Sequence, residues 1–367
     1  MYIAQAYNVL HDWWRYIVGV LISIVGIFVF SMPHLIGITV KTLDGTVDQS
    51  KLEDTNYLMT LFEPNVNLVF ILLPFVGGLI FLIGAVKLLH KQSFTSLTTS
   101  RPKIDWKRFW FSFIFWGIVS SSMVLLDYYL SPEDYVFNFN LVPFLILCVI
   151  AIALVPLQTS FEEYLFRGYL MQGIGTFTKT KWVPLLITSF VFGLLHIANP
   201  EVEKLGYIIM VYYIGTGLFL GIMTLMDEGL ELALGFHAAN NLFTALLVTA
   251  DWTAFQTHSI LKDMSDPKAA EFLDIFMPVF VIFPILLFIF AKKYNWTNWK
   301  EKLFGRVEQP PKEDYKILEV REFIEAIANQ REAYPNFRWA SDIQLIIDAA
   351  IKSSIDKRWV KLEELKI

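Results

Sequence analysis

The sequence predicts an all-α membrane protein, a polytopic helical bundle of about eight transmembrane helices followed by a small helical cytoplasmic tail. Three observations support this prediction. The chain is 55% hydrophobic and its mean hydropathy is +0.49. Charged residues make up 18% of it, below the roughly 25% of soluble domains. Its apolar residues also fall into long runs, and a helix needs about 20 such residues to cross a bilayer.

Eight apolar stretches are candidates for these spans. The first begins near Trp13 and is too long for the core of a secretory signal, so we expect it to be retained. The fourth is long and contains charged residues, whereas the fifth and seventh are short and each contains a histidine. The predicted spans are 14–38, 66–89, 107–130, 141–170, 182–198, 206–226, 232–250 and 272–292.

Composition also limits the partners and sites. Phe occurs 32 times and Trp 11 times, as suits lipid-facing surfaces and interfacial belts. The lipid bilayer is therefore the expected surrounding, and the net charge of −5 gives no reason to expect nucleic acid. The single cysteine, Cys148, cannot form an internal disulfide, and we expect it to be buried and inert.

The loops predict the orientation, because cytoplasmic loops are enriched in Lys and Arg. The loop after the second span and the segment after the eighth each carry five basic residues. The first loop carries two and the third carries none. An even number of spans with both termini in the cytoplasm fits this distribution. The loop at 227–231 is an exception, because it lacks bases on a side predicted to be cytoplasmic.

The composition changes after Tyr294, where the chain becomes charged and polar. Gln309-Pro310-Pro311 is typical of a linker, and apolar residues at helical spacing follow it. We expect this tail to pack on the membrane domain, lie at the membrane surface or recruit a partner. The predicted domains are a transmembrane domain at 1–294 with its motif core at 107–250, a linker at 295–311 and a cytoplasmic helical tail at 312–367.

Two acids and an arginine lie in the fourth span. An ionisable residue in a membrane costs about 2.5–3.5 kcal/mol on insertion scales, so it needs a partner, water or a function. Glu163 and Arg167 are four residues apart and can pair on one helix face. Glu162 is rotated by about 100° from Glu163, so it can act as a base while Glu163 is neutralised. The structural alternative is a salt-bridge network at a helix end.

Two further spans carry polar residues at helical spacing. Phe192 and His196 are four residues apart in the fifth span, and His237 and Asn241 are four apart in the seventh. A His/Asn pair can donate hydrogen bonds to a developing oxyanion, although each histidine could also hold helices together. Gathering all these groups in one bundle without a function would be costly, so the combination favours an active site.

The order and spacing of these motifs resemble the CAAX protease and bacteriocin-processing family of intramembrane endopeptidases. The resemblance covers about residues 107–250 and is specific as a combination, although each motif alone is weak. It is carried by Glu162-Glu163 with Arg167, by Phe192 with His196, and by His237 with Asn241. It points to the prokaryotic branch of the family, so we expect the plasma membrane of a prokaryotic cell.

The resemblance implies a role for each matched residue. Glu162 would be the general base that activates water, and His196 would help to bind and polarise that water. His237 and Asn241 would stabilise the tetrahedral oxyanion. The residues expected to orient the site are Glu163, Arg167 and Phe192.

The sequence leaves a metal open. Glu162, His196 and His237 would make a plausible three-ligand catalytic zinc set. The chain has no His-Glu-x-x-His zinc motif. We expect no cofactor and no metal, with zinc on these three residues as the alternative.

The depth of the site is a difficulty at this point. At about 1.5 Å per residue, His196 would lie some 20 Å deep, whereas His237 and Glu162 would lie near the cytoplasmic ends of their spans. A common site then requires tilted helices, a helix that starts below the membrane plane, or different span boundaries.

The predicted activity is cleavage of a membrane-anchored or hydrophobic peptide or protein by an intramembrane endopeptidase. Candidate substrates are membrane-anchored peptides, anti-sigma factors and bacteriocin precursors. The alternatives are a non-catalytic bacteriocin-immunity or binding protein and a proton-coupled transporter. Against the transporter, the sequence has no paired discontinuous helices or repeated halves. Neither the substrate nor the oligomeric state can be read from the sequence.

Overall fold

The computed structural model describes residues 1–52, 54–266, 272–309 and 315–365. It divides the chain into two compact units, Met1–Gln309 and Pro310–Ile367. Pro310 and Pro311 of the predicted linker lie outside the described residues. The linker and tail boundaries therefore stay predictions.

Eight long helices make up most of the described part of the membrane unit, and the predicted polytopic helical bundle is confirmed. By length and composition, six of those described are able to cross a membrane, and the remaining two, α5 and α7, are shorter. The helices are α1 (Trp13–Leu43), α2 (Pro64–Leu89), α3 (Trp106–Leu130), α4 (Leu141–Thr178), α5 (Trp182–Leu194), α6 (Tyr207–Asp227), α7 (Glu231–Leu247) and α8 (Ile275–Tyr294).

Short helices connect these elements. The first turn of α6 is a 3₁₀ helix, and α8 contains a π-helical turn at Pro278–Ile282. Helical residues at Phe272–Met277 lead into α8. The other described short helices of this unit are Ile3–Asn8, Gln49–Lys51, Thr55–Met59, Phe94–Thr98, Pro132–Asp134, Pro200–Leu205 and Trp299–Phe304. A further short helix, Leu362–Leu365, belongs to the second unit.

Local sequence explains where several helices begin. Glu63 caps α2, because its side chain accepts hydrogen bonds from the backbone N–H groups of Asn65 and Val66, and Pro64 fits the first helical position. Asp105 caps α3 in the same way through Lys107 N–H. These caps satisfy donors that would otherwise have no partner at the helix start.

α4 is longer than the predicted span, which ended at residue 170. It continues through a π-helical segment, Tyr164–Leu170, and ends where Lys179 adopts a left-handed conformation with φ of 56°. Gly173 lies against the ring of Tyr16 in α1, and any side chain there would collide with that ring. The last turns of α4 are therefore buried by protein. The predicted span is shorter than the helix because it counts only the apolar run.

α7 lies at the centre of the bundle. Eleven of its 17 residues are buried, including Glu231 at its start and His237. It packs against α3 and α4, while α4 also packs against α2, α1 packs on α2, and α5 packs on α6. Gly235 allows α3 to approach closely, because a side chain there would meet the backbone of Phe109.

A small three-stranded sheet closes one end of the bundle. The strands are β1 (Tyr135–Phe137), β2 (Val248–Thr249) and β3 (Leu261–Asp263), in the order β1-β3-β2. β1 pairs antiparallel with β3, and β2 pairs parallel with it. The seventh predicted span, 232–250, was wrong at its end, because α7 stops at Leu247 and the chain enters β2.

The turn between α6 and α7 is largely buried and carries acids that pair with basic residues of other segments. Arg101 pairs with Asp227 at 3.0 Å and with Glu231 at 3.2 Å. Arg108 also pairs with Asp227, and Lys302 lies 3.6 Å from Glu228. The missing bases of this turn are therefore supplied by the loop before α3, by the first turn of α3 and by the segment after α8.

The second unit contains two amphipathic helices, α9 (Tyr315–Ala328) and α10 (Phe337–Asp356). The Asn336 side chain caps α10 by accepting from Trp339 N–H at 2.9 Å. Apolar side chains predicted to share helix faces are largely exposed in this unit. They include Val320, Phe323, Ile324, Ile327, Ile343, Ile346, Ile347 and Ile351.

Candidate active site

α4 carries the predicted acid pair and the arginine near its middle. Glu163 and Arg167 are fully buried, and Arg167 Nη1 donates to Glu163 Oε1 at 3.0 Å, as their four-residue spacing predicts. Arg167 Nη2 donates to the carbonyl oxygen of Gly217 in α6 at 3.2 Å. The guanidinium therefore ties α4 to α6 and balances the charge of Glu163.

His237 in α7 lies against both acids of α4. Its Nδ1 donates to Glu163 Oε1 at 2.8 Å, and its Nε2 lies 3.5 Å from Glu162 Oε2. A carboxylate only accepts hydrogen bonds, so Nδ1 carries a proton. One imidazole thus connects the carboxylate that pairs with Arg167 to the other carboxylate, Glu162.

Asn241 reaches Glu162 through an intermediate side chain. Gln158, one turn before Glu162 in α4, donates from Nε2 to Glu162 Oε1 at 2.7 Å. Asn241 Nδ2 in turn donates to Gln158 Oε1 at 3.1 Å. The structure therefore brings Glu162, His237 and Asn241 together from two helices.

His196 joins the site through Phe192. α5 ends at Leu194, so His196 lies in the turn that follows, and the predicted span 182–198 was wrong at its end. Pro200 begins the next short helix, with Asn199 as its N-cap residue. His196 Nδ1 donates to the carbonyl oxygen of Phe192 at 2.8 Å, which leaves Nε2 as an acceptor.

Aromatic rings support both histidines. The Phe192 ring centroid lies 4.9 Å from that of His196 and 6.1 Å from that of His237. The Arg167 guanidinium lies 4.2 Å from the centroid of the same Phe192 ring. On its other side, His196 stacks on Tyr213 of α6 at 4.4 Å with an interplanar angle of 22°. The Phe192 ring therefore lies next to both histidines and Arg167.

The helix boundaries explain how Glu162 and His237 come together. Glu162 lies near the middle of the continuous helix Leu141–Thr178, and not near an end. Glu231, where α7 begins, is fully buried and paired with Arg101. α7 therefore starts inside the protein, and His237, less than two turns further along, meets Glu162 and Glu163 directly.

Comparison with known proteins adds a family. Residues 138–243 match the model of a family described as Rce1-like, type II CAAX prenyl endopeptidase. The matched segment contains every site residue predicted from the sequence, from Glu162 in α4 to Asn241 in α7.

One curated relative is also similar. The chain is 36% identical over 166 residues to YyaK of Bacillus subtilis (strain 168), a protein that is described as uncharacterized. The match covers 45% of this chain and 56% of the relative, so the chain spans about half of that protein's length. No solved structure matches the chain.

The zinc alternative depends on which ring nitrogens of the two histidines are left for a metal. Nδ1 of His237 donates to Glu163 and Nδ1 of His196 donates to the Phe192 carbonyl, so Nε2 is the remaining nitrogen of each ring, as when a zinc-binding histidine donates its other N–H to an acceptor. Within the part of the chain that the structure describes, no three or more His, Cys, Asp and Glu side chains are grouped so as to hold a metal ion. The expectation of no metal stays a prediction, and no step is derived through a metal.

Three residues of the site were not predicted from the sequence. Gln158 is buried beside Glu162, Tyr213 stacks on His196, and the Gly217 carbonyl accepts from Arg167. Gln158 had a usable signal, since it is a polar residue one turn from Glu162 on the same helix face. Tyr213 and Gly217 had none, because an aromatic ring and a glycine are ordinary residues in a span.

Proposed function

We propose that the chain is an intramembrane endopeptidase that uses water activated by Glu162 to hydrolyse a peptide bond of a membrane-associated protein or peptide. The observation that carries the proposal is the position of His237 between Glu162 and Glu163, with Asn241 linked to Glu162 through Gln158. The match of residues 138–243 to the Rce1-like family, which is described as type II CAAX prenyl endopeptidase, supports the same reaction class.

Glu162 is the proposed general base because its carboxylate is the one left without a guanidinium partner. It removes a proton from water while the water oxygen adds to the carbonyl carbon of the substrate peptide bond. The carbonyl oxygen becomes an oxyanion in a tetrahedral intermediate. When the C–N bond breaks, Glu162 returns the proton to the leaving amine, so that base and acid are the same residue.

His237 and Asn241 are the proposed donors to that oxyanion. Nδ1 of His237 already donates to Glu163, so a donor at Nε2 requires the doubly protonated imidazolium. Asn241 uses one N–H for Gln158 and retains a second. With imidazolium and Arg167 set against Glu162 and Glu163, the cluster carries no net charge, as a site buried in a membrane requires.

The remaining site residues hold this arrangement in place. Glu163, fixed by Arg167, orients the His237 ring by accepting from Nδ1. His196 presents Nε2 as an acceptor, which suits it to accept a hydrogen bond from the attacking water. Phe192 packs against the buried guanidinium of Arg167, with its ring centroid 4.2 Å away. Preorganised donors and acceptors of this kind provide most of the stabilisation of a charged transition state.

We propose that the substrate is a membrane-anchored or hydrophobic peptide or protein, reached from the cytoplasmic side of the plasma membrane of a prokaryote. Candidates are membrane-anchored peptides, anti-sigma factors and bacteriocin precursors. The basic residues of the loop before α3 and of the segment after α8 support a cytoplasmic position for both termini. A bacterial relative, YyaK, is consistent with a prokaryotic source.

Comparative membrane proteomics provides the test. Cells that produce the native chain are compared with cells that produce Glu162→Ala, and we expect one membrane protein to accumulate uncut in the variant. Glu133→Ala is the matched control, because Glu133 is an exposed acid in the turn after α3. The substrate so identified is then incubated with purified protein in proteoliposomes. Unchanged cleavage by Glu162→Ala, His196→Ala and His237→Ala would rule out the proposal.

A further inference from the structure

A continuous chain of hydrogen bonds leads from α3 to Glu162. Trp116 Nε1 in α3 donates to Asn240 Oδ1 in α7 at 3.1 Å, and Asn240 Nδ2 donates to Asn241 Oδ1 at 3.2 Å. Asn241 Nδ2 donates to Gln158 Oε1 at 3.1 Å, and Gln158 Nε2 donates to Glu162 Oε1 at 2.7 Å. Four bonds therefore connect an indole to the proposed base across three helices.

The chemistry of its two ends fixes the direction of this chain. An indole N–H can only donate, so Asn240 must turn its carbonyl oxygen towards Trp116. An ionised carboxylate can only accept, so Gln158 must turn its amide nitrogen towards Glu162. Each amide between the ends then has one orientation that satisfies both neighbours. All four donors consequently point towards Glu162.

We propose that Gln158, Asn240 and Trp116 are positioning residues that hold Glu162 and Asn241 in their reactive orientations. This inference rests on the proposed function, since it assigns Glu162 the role of base. The chain fixes the Glu162 carboxylate by placing a polarised donor on Oε1, leaving Oε2 beside His237. It also turns the amide nitrogen of Asn241 towards the acid, where its second N–H can meet an oxyanion.

Burial strengthens this arrangement. Gln158 is 5% exposed and Trp116 is 6% exposed, so water does not compete well for their hydrogen bonds. In an apolar interior such bonds are stronger than in water, and consecutive bonds polarise one another. No other side chain of the same shape can replace any of the three amides, because each amide must both accept and donate a hydrogen bond.

The Trp116 ring has a separate packing role that a phenylalanine can retain. It stacks on Phe236 at 4.6 Å with an interplanar angle of 30°. Trp116→Phe therefore removes the N–H donor while keeping an aromatic ring at the α3–α7 contact. This substitution separates the effect of the hydrogen-bond chain from the effect of helix packing.

Carbodiimide labelling tests the proposal without requiring a substrate. Dicyclohexylcarbodiimide adds to protonated carboxyl groups in apolar surroundings, and mass spectrometry of the purified full-length protein in proteoliposomes gives the labelling rate at Glu162. Without the donor at position 158 the ionised form loses its main partner, so we expect Gln158→Leu to raise that rate about tenfold or more. Trp116→Phe should raise it about two- to fivefold.

The matched control is Gln92→Leu. Gln92 is also a buried glutamine, and its Nε2 donates to Gln172 Oε1 at 2.9 Å, but it has no link to the chain. We expect Gln92→Leu to leave labelling of Glu162 unchanged while it lowers thermal stability as much as Gln158→Leu. Equal labelling rates in the two variants would overturn the proposal, because loss of any buried amide would then account for the effect.

A double variant distinguishes a connected chain from independent contacts. Trp116 does not touch Glu162, so its effect must pass through the amides. We expect Trp116→Phe to have no further effect on labelling in the Gln158→Leu background. Additive effects of the two substitutions would overturn the proposal.

The same variants separate this inference from the proposed function. If Glu162→Ala still cleaves the substrate found by proteomics while the labelling results hold, the chain exists and the assignment of Glu162 as base is wrong. If Glu162→Ala is inactive but labelling does not respond to Gln158→Leu, the protease assignment stands and the positioning chain is refuted.

Discussion

His237 Nδ1 lies 2.8 Å from Oε1 of Glu163, the same oxygen that accepts from Arg167. One carboxylate oxygen therefore joins α7 to the buried guanidinium of α4. The adjacent acid, Glu162, meets the other nitrogen of the ring. This asymmetry predicts that substitutions of the two neighbouring glutamates have different consequences.

Glu162→Gln should abolish cleavage and leave the fold intact. The glutamine can still accept from Gln158 Nε2, but it cannot take a proton from water. Loss of a general base lowers turnover by about 100-fold or more, which cleavage of the identified substrate in proteoliposomes would measure. Thermal unfolding should stay close to that of the native protein and of a Glu133→Gln control. Full activity in Glu162→Gln would contradict the assigned role.

Glu163→Gln should destabilise the protein. It leaves Arg167, which is fully buried, without its counter-ion, and breaking a buried pair in this way costs about 3–5 kcal/mol. Glu163→Gln should therefore unfold at a clearly lower temperature than Glu162→Gln, as followed by the fluorescence of the purified protein. Equal stability of the two variants would show that Glu163 does not neutralise the charge of Arg167.

Arg101→Gln should affect the site from a distance. It leaves Asp227 and Glu231 with reduced neutralisation at the start of α7. We expect a loss of about 2–3 kcal/mol, below the value for a fully buried pair, because Arg101 is 24% exposed. Cleavage should fall as well, since His237 follows on the same helix.

The control for this variant is Arg321→Gln in the second unit. Arg321 pairs with Glu325 on an exposed surface, and solvent screens such pairs strongly. Thermal stability and cleavage should be unchanged. If Arg101→Gln behaved like this control, the ion cluster would have no part in fixing α7.

Acid should weaken the contact between the loop before α2 and the loop after β2. Partial burial acts to raise the pKa of Glu63, but hydrogen bonds from His258 and from the N–H groups of Asn65 and Val66 outweigh it and lower that pKa. A carboxyl with a lowered pKa stabilises the folded state above its unfolded pKa, and that stability is lost as the pH falls through the folded value. Stability should therefore decline at acid pH.

The substitution Glu63→Gln tests the predicted direction of this change in stability with pH. Half of the Glu63 side chain is exposed, so the effect should stay below about 1 kcal/mol. We expect the difference in melting temperature between the native protein and Glu63→Gln to shrink as the pH is lowered below 4.5, the ordinary pKa of a glutamate, and through the lower pKa of the folded state. A difference that grows on acidification would reverse the sign and refute the interpretation.

Much of the site could be predicted because its residues follow helical spacing. Glu163 and Arg167, and likewise His237 and Asn241, are separated by four residues, which places each pair on one face before any tertiary contact is known. The order of elements was also accessible, since apolar length reports a span. Gln158 was overlooked because a neutral amide in an apolar run gains meaning only from the residues that it touches.

The remaining differences arise from tertiary contacts. β2 has two residues and β1 and β3 have three, too few for the alternation that identifies a strand. The charge of the α6–α7 turn was unexplained because Arg101 lies more than 100 residues away in sequence. α4 exceeds its apolar run because α1 and the first residues of the chain bury its last turns.

The sheet at the end of α7 has a consequence for how a substrate enters. β2 follows α7 without a break and pairs with β3, and Thr257 Oγ1 donates to the Ala245 carbonyl at 2.7 Å. At the other end, Arg101 holds Glu231. A helix held at both ends can neither slide nor rotate freely, so α7 is the fixed side of the candidate site. If the site cleaves a polypeptide as proposed, any movement that admits the substrate must come from the surrounding helices.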